Sequence, residues 1–219
     1  MAKSILLKAR TKTKPNNKMI VAEKTGGSKF EPIEEGLYPA LCVSIAGIGV
    51  QETPWGDKEK LVLTFEIPSI EREWEKDGEV TKGRAHISAT YTCSLAQKAK
   101  LREILESWRG QAFTPEELKG FDLSAILGKS CQVLIKHTHK DDKTYANIRE
   151  VLKYSGDPLT TDTPLVNYDP MNHDNEEFQK LPEWIQGKVV APTADGIKFD
   201  PVINKEVEVL EDDGGFVPF

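Results

Sequence analysis

Cysteine is scarce in this chain, and so is any feature that would mark a membrane span or a catalytic metal site. Cys42, Cys93 and Cys131 are odd in number, widely spaced and all on strand-like stretches. That pattern fits reduced thiols in or near a core better than disulfides or a zinc site, and it assigns them no chemistry. No apolar run is long enough to span a bilayer. Near the start, Ile5-Leu6-Leu7 is too short for a signal-peptide core and is followed by lysines instead of a cleavage site. A cytoplasmic chain with no membrane partner is expected. No paired-carboxylate motif stands ready to hold catalytic metals. His137-Thr138-His139 has no third ligand at helpful spacing. Catalytic residues, metals and cofactors are therefore expected to be none, and a metal-dependent nuclease using His86, His137 and His139 ranks last among the readings.

What is present is a strong charge asymmetry. The net charge of −6 hides +7 over residues 1–30, −3 over 31–154 and −10 over 155–219. A basic arm, a mixed centre and an acidic tail make the overall isoelectric point a poor guide to partners. The arm, with Lys8, Arg10, Lys12, Lys14 and Lys18 among Thr, Asn and Pro, has little periodicity. It either lies along phosphates, adding salt-sensitive affinity, or is a solvated end.

The centre, 31–154, reads as strand, strand, strand, helix, strand, strand. In the first strand, 37–45, period-two alternation puts Leu41, Val43 and Ile45 on one face, and Gly47 and Gly49 then break or bend it. The second, 60–67, puts Leu61, Leu63, Phe65 and Ile67 inward and Lys60, Val62, Thr64 and Glu66 outward. The third, 85–93, is rich in β-branched and aromatic residues. Ser94 with Gln97 predicts a capping box for a helix with the stripe Leu101, Ile104, Leu105 and Trp108, stopped by Gly110. Thr114-Pro115-Glu116-Glu117 is a second helix start, and Asp122 opens a last turn that Gly128 ends. The fourth and fifth strands, 131–137 and 144–152, are joined by a polar loop. A helical insertion between strands three and four is the layout of the oligonucleotide-binding (OB) barrel, a mainly β, five-stranded Greek-key fold.

Placed on that layout, several residues point to a binding groove. Trp55, beside Lys58 in the turn-rich loop 51–58, is either a base platform or a cover folded over the barrel end, and stacking is the favoured reading. Residues 68–84 read as a long hairpin with Asp77-Gly78 at its turn. A strict two-residue turn sets Glu73 opposite Lys82 and Glu71 opposite Arg84, giving salt-bridged, solvated strands. Carried into the barrel, that register puts Ile67 on the face of Ser88. A three-residue loop, or a bulge near Pro68, removes the conflict and is preferred; it would gather Arg72, Trp74, Lys76, Lys82 and Arg84 on one side as a basic, aromatic flap. Lys136, His137, His139, Lys140, Lys143, Tyr145 and Arg149 cluster around the fourth strand and its loop, as a backbone-tracking groove with one stacking point requires. Candidate stacking residues are Trp55, Trp74 and Tyr145. Candidate phosphate contacts are Lys58, Arg72, Lys82, Arg84, Lys136, Lys140, Lys143 and Arg149. Trp108 belongs to the core.

After Tyr154, residues 155–171 read as a linker. Asp174-Asn175-Glu176-Glu177 opens a helix carrying Phe178, Leu181, Ile185 and Trp184, with Pro182 either kinking it or marking its true start, and an end near Gly187. So short a helix must dock on the barrel or on a partner. From 191 the acidic tail runs to Asp212-Asp213-Gly214-Gly215-Phe216-Val217-Pro218-Phe219. Acids before an apolar residue, Pro and a terminal Phe form a compact peptide ligand: the ring fills a pocket, the carboxylate meets a cation and the acids steer. The bland alternative is a solubilising end.

That ending resembles the tip of bacterial single-stranded DNA-binding proteins, which closes Asp-Asp-x-Ile-Pro-Phe; here Gly214-Gly215 intervenes and Val217 replaces Ile. The body is similar to a family of bacteriophage proteins found among replication genes and taken to bind single-stranded DNA. The likeness rests on Glu106-Ser107-Trp108-Arg109-Gly110, Phe113-Thr114-Pro115-Glu116-Glu117-Leu118, Phe121-Asp122-Leu123, Leu127-Gly128-Lys129, Tyr145-Ala146-Asn147-Ile148 and Leu181-Pro182-Glu183-Trp184-Ile185. It covers roughly residues 30–190. The resemblance implies an OB barrel that coats single strands in phage replication or recombination, in the host cytoplasm. Its tail would recruit replication or recombination proteins through Asp212, Asp213, Phe216, Val217, Pro218 and Phe219. It implies no individual DNA contacts, and it leaves homo-oligomer formation open. A protein-interaction adaptor is the rival reading.

Overall fold

The computed structural model describes residues 31–76, 79–192 and 198–199; the basic arm, the Asp77-Gly78 turn and the acidic tip lie outside the described residues. The chain is mainly β. Strands β1 (Gly36–Gln51), β2 (Lys58–Lys76) and β3 (Glu79–Thr92) precede helix α1 (Lys100–Arg109), and β4 (Ser130–Lys140) and β5 (Lys143–Lys153) follow it. These strands form one antiparallel path in the order β3-β2-β1-β4-β5. The short β6 (Val166–Tyr168) adds to β1 in parallel. At the two ends of the path β3 and β5 come within 8 Å of each other, and α1 packs on both.

The inner face of β2 is as the alternation predicts: Leu61, Leu63, Phe65 and Ile67 join Ala85, Ile87 and Tyr91 of β3 in the core. On β1 the alternation misleads. A bulge at Val43, between the pairs Cys42–Phe65 and Ser44–Thr64, shifts the parity, so that Ala40, Cys42 and Ile45 face the core. Leu41 instead sits opposite Glu66 on the outer face. One extra residue in a strand flips every side chain beyond it.

The helical stripe Leu101, Ile104, Leu105 and Trp108 is buried, and Trp108 Nε1 donates to the Ser130 carbonyl at 2.9 Å. Gly110 closes the helix at φ 71, with the Gln111 N–H reaching back to the Glu106 carbonyl. The start differs from expectation: the helix begins at Lys100 after Ala99, without a side-chain cap. Ser94 Oγ accepts from the Ala96 N–H, a local turn that competes with helix initiation. The predicted cap at Thr114 does form, with Glu117 N–H on Thr114 Oγ1 and Thr114 N–H on Glu117 Oε2, but it opens a single 3-10 turn (Glu117–Lys119). Asp122 caps the next one (Leu123–Ile126) through the Ser124 N–H.

The C-terminal extension is a second layer. The predicted helix is split at Leu181-Pro182 into α2 (Asn175–Lys180), capped by Asp174, and α3 (Glu183–Gln186). Phe178, Leu181, Ile185 and Val189 join Val166 and Tyr168 against Ala46, Ile48 and Val62 on the outer face of β1 and β2. A final backbone pair, β7 (Ala191–Pro192) with β8 (Lys198–Phe199), completes the described chain. Sheathed on both sides, β1 is buried without interruption from Ala40 to Ala46. Among the described residues no helix is long and apolar enough to cross a membrane.

Candidate functional site

The β4–β5 hairpin brings four of the expected contacts onto one face. Asp141 and Asp142 hold φ 49 and 59, the left-handed pair that a tight two-residue turn requires, so the strands run on to Lys140 and resume at Lys143. Lys136 faces Asn147, Thr138 faces Tyr145 and Lys140 faces Lys143, and all six are exposed. The Tyr145 ring, 47% exposed, is thus framed by Lys136, Lys140 and Lys143. Thr138 Oγ1 accepts from Asn147 Nδ2 at 2.9 Å, which stiffens the ribbon under the ring. Arg149 is the unpaired residue of a bulge between the pairs Leu134–Glu150 and Ile135–Ile148, and it too is exposed. His137 and His139 belong to the opposite face, where His137 Nε2 meets the Ile33 carbonyl at 2.7 Å and His139 Nδ1 meets Thr144 Oγ1 at 3.0 Å.

Residues 31–35 clamp the roots of two hairpins. Glu35 accepts from the His137 N–H at 2.7 Å and pairs with Lys136 at 3.4 Å. The backbone bond from His137, the largest influence, together with Lys136 outweighs the opposing effect of burial and holds the Glu35 carboxyl below its ordinary value. Arg72, on β2, donates through Nη1 to the Glu31 carbonyl.

Trp55 and Lys58 lie at the other end of β1. Thr53 Oγ1 donates to the Gly56 carbonyl at 2.6 Å and accepts from the Trp55 N–H, and Gly56 adopts φ 91. The stapled turn leaves Trp55 84% exposed, so the indole does not fold back over the sheet. Lys58 is exposed and pairs with Gln51 across the ladder.

The β2–β3 arm departs from the expected flap. From Lys60–Thr92 to Ile67–Ala85 the strands keep one register; beyond an irregularity at residues 68–70 they keep another, from Glu71–Arg84 to Lys76–Glu79. The bulge near Pro68 is there, but beyond it the register is the salt-bridged one. Positions 72 and 74 therefore share one face and 82 and 84 the other. Ile70 packs on the core within the bulge, and Glu73 pairs with Lys82, raising the Lys82 pKa through their hydrogen bond. Trp74 lies opposite Thr81 in the ladder.

Arg84 leads to the feature that sequence reasoning missed. Glu66, an outward position on β2, is fully buried. Arg84 Nη1 donates to its Oε1 at 2.8 Å, Thr161 Oγ1 to its Oε2 at 2.8 Å, and Thr163 Oγ1 to the same oxygen. Burial alone would raise the Glu66 pKa; the bonds from Thr163, Arg84 and Thr161 together outweigh it and hold the carboxyl below its ordinary value. His86 Nε2 stands 3.7 Å away, and its own burial keeps its pKa below the usual imidazole value. Arg84 Nη1 also binds the Thr160 carbonyl at 2.7 Å, and Ser130 Oγ accepts from the Leu159 N–H, so residues 159–163 are strapped across the sheet. The available signal was Val62: an apolar residue on the outward register called for a cover.

The thiols divide. Cys42 and Cys131 are buried, with the Cys42 thiol pushed up to about 12 by burial and Cys131 raised for the same reason, while Cys93 is exposed. Phe216 to Phe219 and the two acids before them lie outside the described residues.

No protein-family model and no curated protein matches the sequence.

Proposed function

We propose that this protein is a non-enzymatic, sequence-tolerant binder of single-stranded DNA, built on an OB barrel. The observation that carries the reading is the exposed β4–β5 face on which Lys136, Lys140 and Lys143 frame Tyr145. Interleaved cations and an aromatic ring suit a flexible strand: every base has a ring face to stack, and the lysines follow its phosphates. The strand order, with the helix in the β3–β4 connection and β3 near β5, supports the barrel, whose loops β1–β2 and β4–β5 border the groove in proteins of that fold. Trp55 sits in the first of these loops and the Lys140–Lys143 turn is the second. In this reading the chain coats exposed strands during phage replication or recombination in the host cytoplasm, and the tip at Phe219 recruits partners.

Anisotropy of a labelled oligothymidine, titrated at low and moderate salt against a duplex of equal length, tests it. Single-strand preference with affinity falling as salt rises is expected, each phosphate contact adding about 0.7 to the log–log slope. The triple change Lys136→Gln, Lys140→Gln, Lys143→Gln should flatten that slope by about 2. Equal affinity for duplex and single strand, or no binding at either salt, overturns the reading.

A further inference from the structure

The split of the C-terminal helix at Pro182 turns Trp184 outward. Its neighbours Leu181 and Ile185 are buried against the sheet, yet Trp184 is 47% exposed. Among the described residues, Lys188 stands over the ring, its Nζ 4.8 Å from the centroid. Among the described residues no carboxylate pairs with Lys188. The backbone ties this pair to the β1–β2 turn: Gln51 Nε2 donates to the Lys188 carbonyl at 3.0 Å, and the Val190 N–H to the Ile48 carbonyl at 3.0 Å. Gln51 in turn faces Lys58, and Trp55 lies at most about 14 Å from Gln51 along the chain. Two exposed indoles and two lysines therefore gather around the β1–β2 turn.

We propose that Trp184 and Lys188 are a second contact for single-stranded DNA, continuing the strand's path from Trp55 onto the C-terminal extension. The inference rests on the single-strand-binding reading and extends it to a segment outside the sheet. Stacking is the main chemistry. Glu52, Asp57, Glu59 and Glu183 neighbour these lysines in the chain, so net charge does not draw phosphates here, and an indole face captures an unstacked base without regard to charge. A duplex, with its base faces already stacked, has nothing to offer the ring. When a base covers Trp184, the Lys188 ammonium is displaced from the ring and meets the adjoining phosphate.

Titration of the full chain with a labelled oligothymidine long enough to reach both indoles tests this, comparing Trp184→Ala, Trp184→Phe, Lys188→Gln and Trp55→Ala. Trp184→Ala should weaken binding at least about fivefold at an unchanged melting temperature, with the salt slope kept. Trp184→Phe, which retains a ring, should recover most of the loss. Lys188→Gln should lower the salt slope by about 0.7 with a smaller loss of affinity. If wild type binds, Trp55→Ala weakens it and Trp184→Ala leaves it unchanged, the extension takes no part and this inference alone falls. If wild type binds no single strand, both readings fall together.

Discussion

At the scale of single residues, Glu66 is the most consequential side chain outside the proposed contacts. Its carboxylate faces Arg84, His86, Thr161 and Thr163, with Asp162 also acting on Arg84. A pKa held below the unfolded value contributes stability that is complete above the unfolded value, about 4.3, and is lost as pH falls through the folded one. Urea melts should therefore show wild type losing stability below about pH 4, with Glu66→Gln flatter in that window. At pH 7 the same change should cost about 1–2 kcal/mol, discounted because Arg84 is one-third exposed and reaches water. His86, also lowered, adds a shallower loss as pH falls below about 6.5, which His86→Gln should remove. An equal slope in Glu66→Gln and wild type below pH 4 would show that the network carries no linkage.

At the scale of elements, β1 shows why local patterns were only partly legible. Its apolar residues announced a strand, but the bulge at Val43 reverses the parity, and no local residue type marks it. The bulge is stabilised by what lies on each side: core packing for Ala40, Cys42 and Ile45, the extension for Ala46 and Ile48. The two strand glycines, read as a break or a bend, do not break β1, which runs on to Gln51, but a register shift falls between them. Gly49, at φ 70, lies where any Cβ would collide with the Val190 carbonyl oxygen, and a Cβ on Gly47 would press on the Pro170 ring. Gly49→Ala should lower stability by about 2 kcal/mol or more, from left-handed strain plus the lost seat of the extension. Limited proteolysis should then cut earlier within residues 155–190, and unchanged protection there would refute this role for the glycine. The β2–β3 arm teaches a related lesson. Both elements of the sequence analysis, a bulge near Pro68 and a Glu73–Lys82 pair, occur together, and together they deny the single-sided flap.

At the scale of the whole molecule, residues 155–190 serve the fold as a cover. Phe178, Leu181, Ile185, Val189, Val166 and Tyr168 bury the outer faces of β1 and β2. Each fully buried apolar side chain of this size contributes about 1.5–3 kcal/mol, against a net stability of about 5–15 kcal/mol for an ordinary domain. A chain ending at Tyr154 should therefore unfold or aggregate when expressed, as solubility and circular dichroism would show. A monomeric, cooperatively melting truncation would mean the sheet stands without its second layer.

The division between sequence and structure follows from the range of the forces involved. Local signals were enough for the five long strands, though not for β6, which fell in the stretch read as a linker, and for the buried stripe of α1, for the caps at Asp122 and Asp174, and for the basic and aromatic character of the β4–β5 hairpin. Each of these is set by neighbours a few positions away. Tertiary structure alone decided which outward positions are covered. Val62 and Glu66 stand on a face that alternation assigns to solvent, and they are buried because distant segments cover them: Thr161 and Thr163 bond the Glu66 carboxylate, and Val62 packs in the cluster of Val166, Tyr168 and Phe178. Trp184 went the other way: the sequence left open whether it shares the docking face of Phe178, Leu181 and Ile185, and in the short helix after Pro182 it is exposed. Burial depends on which distant surfaces meet, and one-dimensional periodicity carries no record of that meeting.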